Sequence, residues 1–232
     1  MRKKTVILLS GGLDSAANLA FSHHRAEVDG SPLLALTADY GQRAAPAEIR
    51  AAQVFARYYD VPHQVVDLKW LGALGGSALT ETSLKLPHLE RAQLNERLVT
   101  EDSARSVWVP NRNGVLIHVA AAYAERLQAH QVLVGFNVEE AATFPDNSLD
   151  YLERVNQALE LSTATHIQVF SYTVQWNKNQ IVSELKKLPR RFPFETVWSC
   201  YEGSFSPCLA CESCQRLSRA ISELAPEVSS VI

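Results

Sequence analysis

The amino-acid sequence predicts an α/β protein whose parallel sheet is covered by helices on both faces. Strand-like and helix-like segments alternate in the N-terminal third of the chain, in the order β-α-β-α-β. Parallel neighbours in a sheet need such crossover helices between them. The chain has 232 residues, of which 47% are hydrophobic and 20% are charged. One domain of this kind with a small C-terminal appendage accounts for that length.

The N-terminal third is predicted from short apolar runs and from the glycine and proline positions. Residues 5–9 are β-branched and apolar, as in a buried strand, and a glycine-containing loop separates them from the first helix. Pro46 suits the first turn of the second helix. The predicted segments are a strand at 5–9, an exposed loop at 10–14, a helix at 15–24, a strand at 32–39, a helix at 46–59 and a strand at 63–67.

The rest of the chain begins with an irregular stretch. Residues 68–107 show no clear period, and connections of this length are often functional. An alanine-rich helix follows, and Pro189 ends a later helix. The predicted segments are a helix at 113–128, a strand at 131–136, a polar loop at 137–147, a helix at 148–161, a strand at 167–170, a helix at 178–188 and a short helix at 215–224. We place an α/β domain at 1–192 and a cysteine-bearing segment at 193–232.

Charge and hydropathy exclude several classes of protein. The formal net charge of −3 gives no general attraction for nucleic acids. The apolar run at 6–9 is far shorter than the ~20 residues of a membrane-spanning helix. The basic residues at 2–4 are followed too soon by polar residues for a signal peptide. We therefore expect a cytoplasmic protein with no membrane and no nucleic-acid partner.

All four cysteines lie close together near the C-terminus, with the spacing C-x7-C-x2-C-x2-C. This clustering differs from the dispersed cysteines of a disulfide-stapled domain and is typical of a metal site. Four thiolates suit tetrahedral Zn²⁺, although an iron–sulfur cluster also takes four thiolates. We predict a structural zinc site, with the iron–sulfur alternative left open. The proposed ligands are Cys200, Cys208, Cys211 and Cys214.

The segment SGGLDS at 10–15 lies between the first predicted strand and the first helix. Glycines let the backbone approach a phosphate closely, and the helix start adds N–H groups with positive polarity. The hydroxyls of Ser10 and Ser15 suit phosphate oxygens, and Asp14 suits a bound Mg²⁺. The alternative is a simple glycine turn in which Ser15 caps the helix. The Gly-Lys-Ser/Thr ending of a Walker P-loop is absent from this segment.

These motifs carry a resemblance to known families. Ser-Gly-Gly-x-Asp-Ser after an N-terminal strand resembles the PP-loop ATP pyrophosphatases of the HUP-type α/β fold, which cleave ATP between its α and β phosphates. Together with the cysteine spacing it resembles the QueC family, and the similarity covers nearly the whole chain. Further similar motifs are DYGQR at 39–43, VPNRN at 109–113, GFN at 135–137, Pro145-Asp146, WSCY at 198–201, Pro207-Cys208 and Lys178 at a helix start.

The resemblance implies an ATP-dependent ligase of queuosine precursor biosynthesis. Such an enzyme converts 7-carboxy-7-deazaguanine and ammonia to 7-cyano-7-deazaguanine with ATP and Mg²⁺, and it forms a homodimer. One loop departs from the family, because ATFPDNS at 142–148 stands where S-G-Y-P-D-C-R is usual. A QueC-like ligase that adenylates a related deazapurine acid, or another acid, and joins it to a different amine is therefore the alternative that stays open. A tRNA thiolase needs further catalytic cysteines, and a zinc-ribbon binding module leaves SGGLDS unexplained.

The resemblance also implies roles for individual residues. The expected catalytic residues are Asp14, Ser15, Arg112 and Lys178. The acid substrate is expected to contact Arg112, Phe144 and Asp146. The expected ATP-binding residues lie in the glycine loop, in the helix after it and at the end of the second strand. They are Leu9, Ser10, Gly11, Gly12, Leu13, Asp14, Ser15, Ala16, Ala17, Asn18, Leu19, Asp39 and Arg43.

Overall fold

Five parallel strands form one sheet in the computed structural model, which describes residues 4–26, 30 and 32–222. The strand order is β3-β2-β1-β4-β5, and every neighbouring pair is parallel. The predicted parallel sheet is thus confirmed. Its strands are β1 (Thr5–Leu8), β2 (Pro32–Asp39), β3 (His63–Asp67), β4 (Gln131–Leu133) and β5 (Gln168–Phe170).

Helices connect the strands and cover both faces of the sheet. Short 3₁₀ turns lie at Arg91–Asn95, Pro145–Asn147 and Phe194–Thr196. Within the described ranges, no helix combines the length and the apolar character that crossing a membrane requires. The helices are α1 (Leu13–His24), α2 (Ala45–Tyr58), α3 (Lys69–Gly72), α4 (Arg97–Ser106), α5 (Arg112–Arg126), α6 (Val138–Ala141), α7 (Leu149–Ser162), α8 (Lys178–Lys186) and α9 (Glu212–Ser222).

The core has two apolar layers because successive residues of a strand point to opposite faces of the sheet. Ile7 of β1 packs in the layer formed with α1, α2 and α8, where Phe55 and Ile181 are fully buried. Its neighbour Val6 packs in the opposite layer with α5 and α7, beside Ile117. Both faces are thereby covered, and the carboxyl ends of the strands are left open for a ligand.

Three predictions of local structure were wrong. The stretch 68–107 is not irregular throughout, because α3 and α4 lie within it. The polar loop 137–147 contains α6, which Asn137 caps by accepting a hydrogen bond from the N–H of Glu140 at 2.9 Å. The strand predicted at 131–136 ends at Leu133, since the chain then passes under the start of α1. A Cβ on Gly135 would collide there with the backbone of Ser15.

The C-terminal segment packs closely on the rest of the protein. The final helix was predicted at 215–224; α9 begins earlier, at Glu212, and positions 223–224 lie outside the described residues. Its residue Ala220 is buried in the same apolar layer as Ile181 of α8. The N–H of Trp198 donates to the carbonyl of Gly11 at 2.9 Å. This segment therefore touches the glycine loop directly, while the domain boundary at 192/193 stays a prediction.

Candidate active site and four-cysteine cluster

A cavity of about 260 Å³ opens beyond the carboxyl ends of β1, β2 and β4. Ligands of open α/β sheets bind in such a crevice, where the chain leaves a central strand toward opposite sides. Here β1 is that strand, because β2 and β4 flank it. Glu48, Leu79 and Val107 are isolated lining residues, and the rest of the lining comes from four regions of the chain. They are the glycine loop with the end of β2, the start of α5, residues 134–147 with Lys178, and residues 198–217 of the C-terminal segment.

The glycine loop is held in shape by its own serines. The N–H of Ser10 donates to Oγ of Ser15 at 3.2 Å, and Ser15 Oγ donates to the carbonyl of Gly12 at 3.1 Å. Gly11 has a φ of +82°, and a Cβ there would lie 2.7 Å from Cβ of Ala51. The N-cap of α1 is Gly12, with no side-chain cap. Ser15 therefore braces the loop and does not act as the helix cap.

Asp14 is buried, whereas the sequence predicted an exposed loop. Its side chain is paired with Lys178, whose Nζ lies 2.7 Å from Asp14 Oδ2 and 2.9 Å from Glu140 Oε1. Burial alone would lower the pKa of Lys178, but the two carboxylates outweigh it and raise that pKa. The other carboxylate oxygen, Asp14 Oδ1, is buried and accepts no hydrogen bond from the described residues. That orphaned acceptor fits a Mg²⁺ ligand.

Arg112 faces the cavity as an unpaired cation. It is the first residue of α5, after Asn111, whose φ of 50° turns the chain into the helix. Its guanidinium makes two long hydrogen bonds, 3.4 Å to the hydroxyl of Tyr40 and 3.4 Å to Oδ1 of Asn113. It forms no ion pair with any residue that the structure describes. A partly buried cation without an ion-pair partner is suited to binding an anionic group of a ligand.

The loop that departs from the family lies at the cavity edge. Phe144 lines the cavity and stacks on Trp108, with ring centroids 6.1 Å apart and planes 6° apart. Asn147 also lines it, while the described lining does not include Asp146, whose Oδ1 accepts from Asn147 Nδ2 at 3.4 Å. Ser148 caps α7 by accepting from the N–H of Tyr151 at 3.1 Å. The predicted contact of Asp146 with substrate stays a prediction.

Two predicted ATP ligands lie apart from the described cavity lining. Arg43 donates to the backbone carbonyls of Glu81 and Leu84 at 2.6 and 2.5 Å. Asp39 accepts from the N–H of Gly41 at 3.1 Å and pairs with Lys69 at 3.3 Å. Both side chains therefore fix the surrounding turns in this structure, and their contact with ATP stays a prediction.

The remaining predicted ATP-binding residues fall into two groups. Leu9 and Leu13 line the cavity together with Ser10, Gly12, Asp14 and Ser15. Asn18 is fully buried in α1 below the loop, where its amide donates to the carbonyl of Asp14 at 2.9 Å and to Thr173 Oγ1 at 2.7 Å. The predicted residues that are buried and lie outside the cavity lining in the described chain are Gly11 of the loop and Ala16, Ala17, Asn18 and Leu19 of α1.

Several residues at the cavity were not singled out from the sequence. Glu140 pairs with Lys178, and Glu48 accepts a hydrogen bond from Gln42 Nε2 at 2.8 Å. The doublet Glu139-Glu140, one residue after the motif at 135–137, was the local signal for the first. The C-terminal segment adds Glu212, Ser213, Arg216 and Leu217 to the lining, beside Trp198, Ser199 and Tyr201 of the WSCY motif.

The four cysteines form one compact cluster. All four Sγ atoms lie within 4.8 Å of one another, and only Cys208 is partly exposed. Tetrahedral ligands with Zn–S distances of 2.3 Å are about 3.8 Å apart, so the cluster fits such an ion. Backbone N–H groups point at sulfur, from Cys208 to Cys200 Sγ and from Cys211 to Cys208 Sγ, each at 3.3 Å. These donors favour the thiolate form that a metal requires.

The glycine loop follows β1, the strand from which the chain continues to opposite sides of the open sheet. This arrangement places the protein in the PP-loop class of α/β proteins. The model of the family described as queuosine biosynthesis protein QueC matches residues 4–225, and the chain belongs to that family. It is 46% identical to a 7-cyano-7-deazaguanine synthase of Desulforamulus reducens, over 95% of this chain and 94% of that one. It is 49% identical to the 7-cyano-7-deazaguanine synthase of Desulforudis audaxviator, over 94% of this chain and 96% of that one.

One solved structure resembles this chain at a much lower sequence identity. The U34-tRNA thiolase NcsA from Methanococcus maripaludis, solved with its [4Fe-4S] cluster, has a TM-score of 0.48 and 15% identity. The match covers 98% of this chain and 66% of that chain.

Proposed function

We propose that this protein is an ATP-dependent ligase that makes 7-cyano-7-deazaguanine from 7-carboxy-7-deazaguanine and ammonia. One observation carries the proposal. In a chain of the QueC family, the glycine loop, the Asp14–Lys178 pair and the unpaired Arg112 all line a single cavity. Relatives that match over nearly the whole chain bear the name of this synthase. This name does not favour the alternative of a ligase for a different amine.

The glycine loop is proposed to hold the triphosphate of ATP. Its N–H groups and the start of α1 supply positive polarity, and Lys178 adds a full charge beside Asp14. Asp14 would hold Mg²⁺ through the free oxygen Oδ1. When bound, that ion would neutralise the negative charge that develops on the phosphates as pyrophosphate leaves. Lys178, which is itself paired with Glu140, keeps the Asp14 carboxylate in place.

The proposed reaction activates the same carbon twice. A carboxylate oxygen of the acid attacks the α-phosphorus of ATP, and pyrophosphate leaves. Ammonia then attacks the acyl carbon, AMP leaves with that oxygen, and a lost proton completes the amide. The amide oxygen attacks the α-phosphorus of a second ATP with release of pyrophosphate. Departure of AMP and of the remaining N–H protons gives the nitrile.

Arg112 and Phe144 are proposed to bind the acid. The guanidinium suits a carboxylate through two parallel hydrogen bonds, and it has no competing carboxylate within ion-pair distance in the described chain. The ring of Phe144, stacked beside Trp108, offers an apolar face to the planar base. Asp146 is proposed to accept hydrogen bonds from the N–H edge of the base after a small movement of its loop.

The metal is proposed to be structural Zn²⁺, because a closed set of four thiolates is a preferred zinc site. An iron–sulfur cluster is the alternative that uses the same ligands. We also propose a cytoplasmic homodimer without a nucleic-acid partner, on the family membership and the net charge of −3.

The first prediction concerns the product. The purified protein with ATP, Mg²⁺, ammonia and 7-carboxy-7-deazaguanine is expected to yield the nitrile, with AMP and pyrophosphate as coproducts. Mass spectrometry of the quenched mixture distinguishes the nitrile from the intermediate amide, and phosphorus NMR identifies the nucleotide products. An amide that accumulates without dehydration, or turnover only with another acid or amine, would favour the alternative. ADP and phosphate would contradict adenylation altogether.

A second prediction tests Arg112. In Arg112→Gln, the KM for the acid should rise about 10- to 100-fold, since a hydrogen bond to a charged group contributes about 1.5–3 kcal/mol. The matched control is Arg97→Gln, which removes an exposed arginine on α4 that pairs with Glu101 at 2.7 Å. Steady-state kinetics with each substrate varied separately provides the measurement. A rise in the KM for ATP alone would instead assign Arg112 to the phosphates.

A further inference from the structure

Glu139 joins two parts of the molecule that are far apart in the chain. Its Oε1 accepts a hydrogen bond from the backbone N–H of Lys178 at 2.9 Å. Its Oε2 pairs with Arg219 at 3.1 Å and with Arg216 at 3.7 Å. The carboxylate is only 19% exposed. Both of its oxygens are therefore used, one toward the catalytic lysine and the other toward the C-terminal segment.

The two arginines are placed by the four-cysteine cluster. Both lie on α9, which begins directly after Cys211 and contains Cys214. Arg216 is also held by Glu212 at 2.7 Å, and Glu212 in turn accepts a hydrogen bond from Ser103. Four thiolates this close repel one another unless a cation binds them. A metal bound by the four thiolates would therefore fix the start of α9 and, with it, the arginines on that helix.

The other end of this chain of contacts is the Lys178 side chain. The Glu139 contact fixes the backbone at the first residue of α8. Glu140, the next residue in α6, binds Lys178 Nζ at 2.9 Å. A shift of the short helix α6 would thus move both anchors of Lys178 together. The lysine side chain is long and flexible, so it depends on such anchors to stay beside Asp14.

We propose that Glu139 is a positioning residue through which the four-cysteine segment holds Lys178 against the glycine loop. This inference rests on the proposed ATP chemistry of Lys178. It assigns the metal segment a role at the active site in addition to folding. Glu139 itself reaches Lys178 through the peptide N–H and is not placed among the groups that touch ATP.

The test measures the affinity for a non-hydrolysable ATP analogue with Mg²⁺ by calorimetry in full-length, metal-loaded protein. Glu139→Gln keeps an acceptor oxygen for Lys178 but removes the charge that holds two arginines. Its Kd should rise about tenfold, which corresponds to one weakened contact of about 1.4 kcal/mol. Metal content and the melting temperature should stay near those of wild type. Glu101→Gln, which removes another glutamate–arginine pair, is the matched control and should leave Kd unchanged.

A double variant tests whether Glu139 acts through Lys178 or only supports the surrounding structure. In Lys178→Met protein, adding Glu139→Gln should change Kd no further, because the residue that Glu139 positions is gone. The variant Arg219→Gln should act in the same direction, and its effect should not add to that of Glu139→Gln. It also serves as the test if Glu139→Gln fails to fold.

Three results would overturn the proposal. They are an unchanged Kd in Glu139→Gln, an equal loss in the Lys178→Met background, and a loss that always accompanies release of metal. The measurement is independent of product identity. If the wild-type protein binds the analogue but makes no nitrile, the proposed function fails while the role of Glu139 is still tested.

Discussion

Replacing Lys178 with methionine is expected to reduce the rate of AMP formation by about 10²–10³-fold, the loss typical of one group that stabilises transition-state charge. Lys178 Nζ is the only cation within 4.0 Å of Asp14 in the part of the chain that the structure describes. Methionine keeps much of the length of the side chain but carries no charge. The rate is measured by release of pyrophosphate under saturating ATP and acid.

The same change has a structural cost that must be measured beside the rate. Without Lys178, Asp14 and Glu140 face each other in a poorly solvated site. Breaking a buried ion pair by removal of one partner typically lowers the free energy of unfolding by about 3–5 kcal/mol. Thermal denaturation therefore accompanies the kinetics. Lys187→Met, which removes an exposed lysine paired with Glu184, is the control. A folded Lys178→Met protein with wild-type rate would exclude Lys178 from the chemistry.

The parts of the fold that were predicted well are those encoded by local patterns. The strands predicted at 32–39 and 63–67 match β2 and β3 residue for residue. An apolar run bounded by turn residues is enough to define each of these strands, because both signals lie within the strand and its immediate neighbours in the sequence. The cysteine cluster was also predicted correctly as a set, since its members lie within fifteen positions of one another.

The parts that were missed depend on contacts between distant residues. Asp14 lies in a glycine loop that looks exposed in sequence, yet it is buried because Lys178 and Glu140 arrive from 164 and 126 positions away. Only the strand order brings those elements together. The early end of β4 has a similar cause, since Gly135 must pass beneath α1. Neither the burial of Asp14 nor the early end of β4 is encoded in a local hydrophobic pattern.

The stability of the C-terminal segment is expected to depend on its metal. Cys211→Ser should lose the bound ion and most of the folded protein, because Cys211 is fully buried and supplies one of the four clustered thiolates. Binding a metal to thiolates contributes directly to folding, and three ligands hold the ion far less well than four. Two contacts of the segment should weaken together. They are the apolar packing of α9 on α8 and the hydrogen bond from the N–H of Trp198 to the carbonyl of Gly11. Metal content per chain and the melting temperature are the measurements.

Ser206→Ala, an exposed change in the same loop, is the control and should retain both metal and stability. Elemental analysis of the wild-type protein then decides which metal the cluster holds. One zinc per chain without labile sulfide agrees with a closed structural site. Iron with labile sulfide would instead show that the same four ligands hold an iron–sulfur cluster. An active, stable wild-type protein without any metal would contradict the dependence itself, since α9 would then hold its position by packing alone.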